Sequence, residues 1–241
     1  MPNSLHHRAV EHLGNRIVNG TIPAGEIILA SAIEDELGVS RSVVREAVRV
    51  LASAGLVVST KRVGIRVLPA QDWNPFDPLV IRWRLASGGL GAQLRSLTEL
   101  RVAVEPMAAE LAAEHAPEEF CGELLNLAAQ MRHAGRSGDL ATFLELDIRF
   151  HALVLAASGN EMFANLANPI GETLRGRTEL GLMPERPHEE ALAWHQAVAD
   201  AISAHDPQDA RDAMEKIMRR TNEEICGVWA DKPRLFPTPR I

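Results

Sequence analysis

The stretch from Ser31 to Leu68 constrains the fold most, because its periodicity changes twice within a short span. Ser31 with Glu34 three residues on reads as a capping box opening a helix over about 31–37. Gly38 breaks that helix, and Ser40 is placed to cap a longer one over Arg41–Ala54. On it Val44, Ala47, Val48 and Leu51 form one apolar face, and Gly55 ends it. The run Leu56–Thr60 is β-prone, Lys61–Gly64 is a turn and Ile65–Leu68 is a second strand, which makes a hairpin. Upstream, Leu5, Val10, Leu13 and Ile17 predict a helix over 4–19 capped by Ser4. Gly20 and Pro23–Gly25 stop it, and Ile27–Leu29 reads as a short strand.

Charge adds meaning to this order of elements. The whole chain carries −7, which taken alone argues against a nucleic-acid partner. Residues 1–69 hold 8 Lys/Arg and 6 Asp/Glu, a net of +2, whereas residues 70–241 hold 17 and 26, a net of −9. Between residues 39 and 66, six cations (Arg41, Arg45, Arg49, Lys61, Arg62, Arg66) face one acid, Glu46. Arg41, Arg45 and Arg49 recur at i, i+4 and i+8, so they share a helix face. Helix, helix, glycine turn, helix and basic hairpin is the order of a winged helix-turn-helix. In that geometry Ser40, Arg41, Ser42 and Arg45, at the N-terminal end of the third helix, enter the major groove of double-stranded DNA, where arginine pairs with guanine. Arg49 lies two turns further and meets phosphate, and Lys61, Arg62 and Gly64 place the hairpin on the minor groove or backbone. The plain alternative is a solvated basic helix face.

The segment Leu37–Ala47, followed by Leu51–Val57 and by Gly64 in the hairpin, resembles the recognition-helix signature of the GntR transcription regulators. The resemblance implies that Arg41 and Arg45 contact operator bases and that Gly64 marks the wing tip. It also shows a departure: Ser31 stands where the family often places arginine, and serine can cap the helix or bond a phosphate but cannot reach a base.

The remainder reads as helix. Alanine and leucine are abundant and tyrosine is absent. Helices are predicted over about 78–87, 94–115, 118–135, 139–157, 160–180, 188–204 and 207–230, with short breaks that favour antiparallel neighbours. The fold class is therefore mainly α. A winged helix-turn-helix over 1–69 and a linker over 70–78 precede an all-helical antiparallel bundle over 79–230, with a Pro-rich tail over 231–241. Trp73 and Phe76 make the linker too apolar for a free tether and are expected to pack between the domains. At 46% hydrophobic and 24% charged the chain is not disordered. It has no apolar run near the length of a membrane span, no apolar leader segment, and in Cys121 and Cys226 no disulfide framework, so a cytoplasmic location is expected.

Within the helical part, Asp147 and His151 lie at i, i+4 on one apolar helix. Such a pair can chelate a divalent cation or can simply be a hydrogen-bonded couple. His195 is either a third ligand or a core histidine. Arg101 interrupts the apolar run Val102–Val104 and suits an effector carboxylate, the alternative being an internal pair with Glu105. Arg175 and Arg177 are secondary candidates for the same role. No nucleophile motif, phosphate loop or HExxH sequence supports the rival reading as a metal-dependent enzyme.

Leu97–Pro106, Asp147–His151, Ala157–Asn160 and Trp194-His195 resemble the FCD-type effector domain of the FadR branch of the same family. That resemblance implies a homodimer whose DNA affinity changes when a small organic acid binds. It also implies a metal, zinc or similar, held by Asp147, His151, His195 and one further histidine, a position that here is Ile217. Three protein ligands with water or effector oxygens hold a metal more weakly, or the site works without one. The stretch Asp72–Trp83 resembles regulators of sugar-acid operons of the galactonate and gluconate type. The implied function is a repressor of an aldonate catabolic operon, with another organic acid or an acyl-CoA as the alternative effector.

Overall fold

The computed structural model describes residues 4–184, 187–232 and 234. The described residues divide into two compact units, 4–90 with 234, and 91–232. The expected Pro-rich tail over 231–241 lies largely outside the described residues.

The first unit begins with α1 (Leu5–Val18), capped by Ser4, whose hydroxyl accepts from the His7 amide at 3.1 Å. β1 (Ile27–Ile28) follows, then α2 (Ala30–Leu37), α3 (Arg41–Ser53), β2 (Val57–Thr60) and β3 (Gly64–Val67). The three strands form one antiparallel sheet in the order β1-β3-β2, so the predicted hairpin gains a third strand from the Ile27–Ile28 run. Two predicted caps are corrected. α2 opens one residue early, at Ala30 after Leu29, which puts Ser31 inside the helix. Ser40 does precede α3, but its hydroxyl bonds Ser42 Oγ at 2.8 Å and caps no backbone amide.

Helix α4 (Pro78–Leu85), started by Asp77 accepting from the Leu79 and Val80 amides, belongs to this first unit. Val80 and Trp83 join the core of Val10, Leu13, Ile33, Val44, Leu51, Leu56 and Ile65. The Trp83 ring lies on Gly14 of α1, where an added Cβ would sit 2.3 Å from ring carbons. Glu11 of α1 accepts from Trp83 Nε1 at 2.8 Å and pairs with Arg82. The unit therefore runs past the boundary expected at Pro69, because Trp83 has a site ready for it on α1. Trp73 packs on the same core, with its indole N–H donating to Leu68 O at 3.1 Å, while Phe76 is 49% exposed.

The second unit holds α5 (Leu90–His115), α6 (Glu118–Ser137), α7 (Leu140–Ala157), α8 (Glu161–Ala164), α9 (Ala167–Glu179), α10 (Glu189–Ser203) and α11 (Pro207–Ile225). Its core combines alanines of α5 with Leu124, Met131, Phe150, Leu155, Leu174, Ile202 and Met214. The helix predicted over 160–180 is two helices. Pro169 would clash with the carbonyl of Asn165 in a continuous helix, and the restart at Ala167 puts that proline in a first turn, where its missing N–H costs nothing. Among the described residues no helix is long and apolar enough to cross a membrane.

Candidate functional site

Two places gather the residues singled out above. On the first unit, Ser40, Arg41, Ser42, Arg45 and Arg49 of the α3 region are all exposed, as are Lys61 and Arg62. The α3 register buries Val44, Ala47, Val48 and Leu51, which leaves the arginines on the outer face. Arg45 and Arg49 are 66% and 67% exposed and both touch Glu46, at 3.4 and 2.9 Å. Arg41, Ser42 and Arg45 line one open groove of about 420 Å³ together with Ser59 and Gly64 of the wing, so helix end and hairpin form a single concave face. The wing tip itself is Lys61–Val63, with Arg62 at a φ of +66°. Gly64 is not at the tip as expected but pairs with Thr60 as the first residue of β3. Its φ of +129°, and the 2.8 Å that would separate an added Cβ from Ile27 Cγ2, make glycine necessary where β1 crosses.

The second place is a cavity of about 50 Å³ inside the helical unit. Asp147 and His151 on α7 and His195 on α10 bring one donor atom each within 4.8 Å of one another, all buried. His195 Nδ1 donates to Ala191 O at 2.7 Å, which turns Nε2 toward Asp147 Oδ1, 3.3 Å away. That Nε2 has no other partner. His151 presents Nδ1 to Glu105 Oε2 at 2.5 Å, an ion-pair contact rather than an aligned hydrogen bond, and Nε2 to Asp147 Oδ1 at 3.4 Å. Phe150 meets both imidazoles edge-on and limits their rotation. Two imidazole Nε2 atoms thus converge with a carboxylate, and a proton or a metal ion is needed between them. Burial, the His195 tautomer set by the Ala191 carbonyl and the orphaned His195 Nε2 fit a divalent cation. Ile217 of α11 also lines the cavity and offers no donor.

The electrostatics follow from burial and pairing. Desolvation pushes the Asp147 carboxyl up, but bonds from His151 and His195 overcome it and hold the group well below the usual range. Burial likewise opposes charge on Glu105, yet Arg101 and His151 bring its pKa down to about 2. His151 is disfavoured as a cation by burial and by Arg101, but Glu105 and Asp147 raise its pKa to about 9.

Arg101 is 1% exposed. Its Nε donates to Glu105 Oε1 at 2.5 Å, so the internal pair is real, yet Nη1 has no partner and the side chain lines the cavity. Arg175 is corrected: it lies outside the cavity and pairs with Glu145 and Glu172 at 3.4 and 3.3 Å. Arg177, two residues on along α9 and so on the opposite face, lines the cavity instead. Sequence reasoning did not place Glu105 against His151. The i, i+4 spacing of Arg101 and Glu105 was the available signal.

Two family models cover these two places. The model of bacterial regulatory proteins of the gntR family matches residues 5–67, and that of the FCD domain matches residues 96–220. The chain belongs to the GntR family. It is a DNA-binding transcription regulator with an FCD domain, not an enzyme. It is 30% identical to the galactonate operon transcriptional repressor of Escherichia coli K12 over 86% of this chain and 90% of that one. It is 29% identical to the regulator YieP of the same organism, over 90% and 93%. The fold matches the solved structure of Lar, which controls expression of the Listeria monocytogenes agr system, with a TM-score of 0.58 at 15% identity, covering 95% and 99% of the two chains. In GntR terms, α1 to β3 is the reader and the Asp147–His151–His195 cavity lies in the FCD domain, while α4 falls between the two models.

Proposed function

We propose that the protein is a homodimeric, cytoplasmic repressor of a sugar-acid catabolic operon, released from its operator when a small carboxylate enters the FCD cavity. The observation that carries this reading is the buried polar set of Arg101, Asp147, His151 and His195 inside an otherwise apolar helical unit. A polyhydroxy acid matches it: a carboxylate for the open Nη1 of Arg101 and hydroxyls for the remaining polar groups. The 30% identity to a galactonate operon repressor supports an aldonate such as galactonate or gluconate. A long acyl chain suits this cavity poorly, since Arg101, Asp147, His151, Arg177 and His195 share its wall with the apolar side chains.

On the DNA side, Ser40, Arg41, Ser42 and Arg45 read base edges, Arg49 holds phosphate, and Lys61 and Arg62 anchor the wing, with Gly64 shaping it. In the FCD cavity, Asp147, His151 and His195 are the ligands for a divalent cation, which when bound would supply a Lewis-acidic point for an effector oxygen. Glu105 orients His151, and the Ala191 carbonyl orients His195. The cavity of about 50 Å³ holds only a few waters, and we take a six-carbon acid to bind a wider form of it. Such an effector binds the expanded form selectively, and that difference is what can shift the dimer away from the spacing its operator needs.

Gel-shift titration on the DNA upstream of its own gene tests both halves. A specific shift, abolished by Arg45→Ala and relieved by galactonate or gluconate, is expected. No specific shift for the wild type would refute the operator reading, and a shift indifferent to every sugar acid would refute the effector.

A further inference from the structure

We infer that Arg177 is a second anion-recognition residue of the FCD cavity, and that the acid bound there carries an anionic group at each end. This rests on the reading of the cavity as the effector site and specifies the class of effector.

Arg177 is 3% exposed and lines the cavity from α9. Its Nη2 reaches Glu224 Oε2 at a long 3.4 Å, and its Nε has no partner. The other oxygen of Glu224 is taken by Arg220 Nε at 2.8 Å, so Glu224 serves two arginines. Arg101 repeats the pattern: Glu105 holds its Nε, while Nη1 is buried and unpartnered. Two guanidinium forks therefore present open donors to one cavity. Leaving charged donors unmade in the interior is costly, and a bound anion removes that cost. Burial and the positive charge of Arg101 push the Arg177 pKa down to about 10, which still leaves it cationic at neutral pH.

The charge count agrees. Among the described residues, and with His151 neutral as a metal ligand, Arg101, Arg177 and Arg220 balance Glu105, Asp147 and Glu224. A divalent cation on the Asp147–His151–His195 set then leaves two positive charges, and one carboxylate answers only one of them. Arg101 takes the carboxylate nearest that set, and Arg177, on another helix, takes the second anion. The matching chemistry is a sugar acid with a second anionic group, either a carboxylate or a phosphate.

The test is calorimetry of the full-length, zinc-loaded protein against galactonate, galactarate and 6-phosphogluconate. The wild type is expected to bind one of the two dianionic acids at least about tenfold tighter than galactonate, the size of one lost charge-assisted pairing. Whichever is preferred identifies the second group. Arg177→Gln should erase that preference, and Arg177→Lys should keep part of it. Equal affinity for all three acids in the wild type, or a preference that survives Arg177→Gln, overturns the inference and leaves the effector site standing. No binding by any acid overturns both.

Discussion

Replacing Glu105 by glutamine tests how the FCD cavity is held together. The carboxylate is fully buried between two cations, with Arg101 Nε at 2.5 Å and His151 Nδ1 at 2.5 Å. Glutamine keeps the volume and one carbonyl acceptor but removes the charge. Arg101 would then remain a buried guanidinium with only Asp147 to oppose it. Breaking a buried pair by removing one partner costs about 3–5 kcal/mol. For a domain of this size each kcal/mol shifts the melting temperature by about 2–4 °C, so a fall of roughly 6–20 °C is expected. Circular dichroism melts of metal-free protein at pH 7 read this directly. The pH profile sharpens the test. In the wild type the folded His151 pKa is raised to about 9 from the ordinary 6.5. Its imidazolium therefore stabilises the fold fully below about pH 6.5, and that contribution is lost as pH rises through 9. The wild-type melting temperature should fall across this window, and Glu105→Gln should flatten the fall, since Glu105 is the main source of the raised pKa. Zinc affinity should also drop about 10- to 100-fold, because an orienting partner of a ligand histidine is gone. A melting temperature within two degrees of wild type with an unchanged pH profile would refute the reasoning.

Other outcomes follow from the same geometry. Gly14→Ala should destabilise the first unit by about 1–3 kcal/mol in chemical denaturation despite the better helix propensity, because the new methyl meets the Trp83 ring at 2.3 Å. Arg45→Ala should cost about 1–3 kcal/mol of discrimination between operator and mismatched DNA in competition gel shifts. Arg49→Ala should instead weaken all sequences alike and reduce the slope of log affinity against log salt by about one. Arg175→Ala, which removes a surface pair with Glu145 and Glu172, should leave calorimetric effector affinity within about twofold.

Much of the fold was legible in short-range pattern. The glycine at 38, the proline breaks and the apolar periodicity located α1, α3, α6, α7 and α10 to within two residues of their observed ends. The Asp147–His151 pairing was legible for the same reason, since i, i+4 spacing sets a common face before any tertiary contact forms. Elsewhere a partner distant in sequence decides. Nothing in Pro78–Leu85 announces Gly14 and Glu11 as the seat of α4. Nothing beside Gly64 announces the strand Ile27–Ile28 that crowds it. Arg175 and Arg177 were indistinguishable in the sequence, being two residues apart on a helix without a strong apolar face.

The chain's charge pattern, its element order and the shared helix face of Asp147 and His151 were determined by sequence alone, because propensity and periodicity act between near neighbours. Only the tertiary structure decided that Glu105 bridges Arg101 and His151, that Arg177 rather than Arg175 faces the cavity, and that α4 rides on the reader. Each of those depends on which distant helix surfaces meet. The sequence names the groups; packing chooses which of them share a desolvated space and must therefore answer one another's charge.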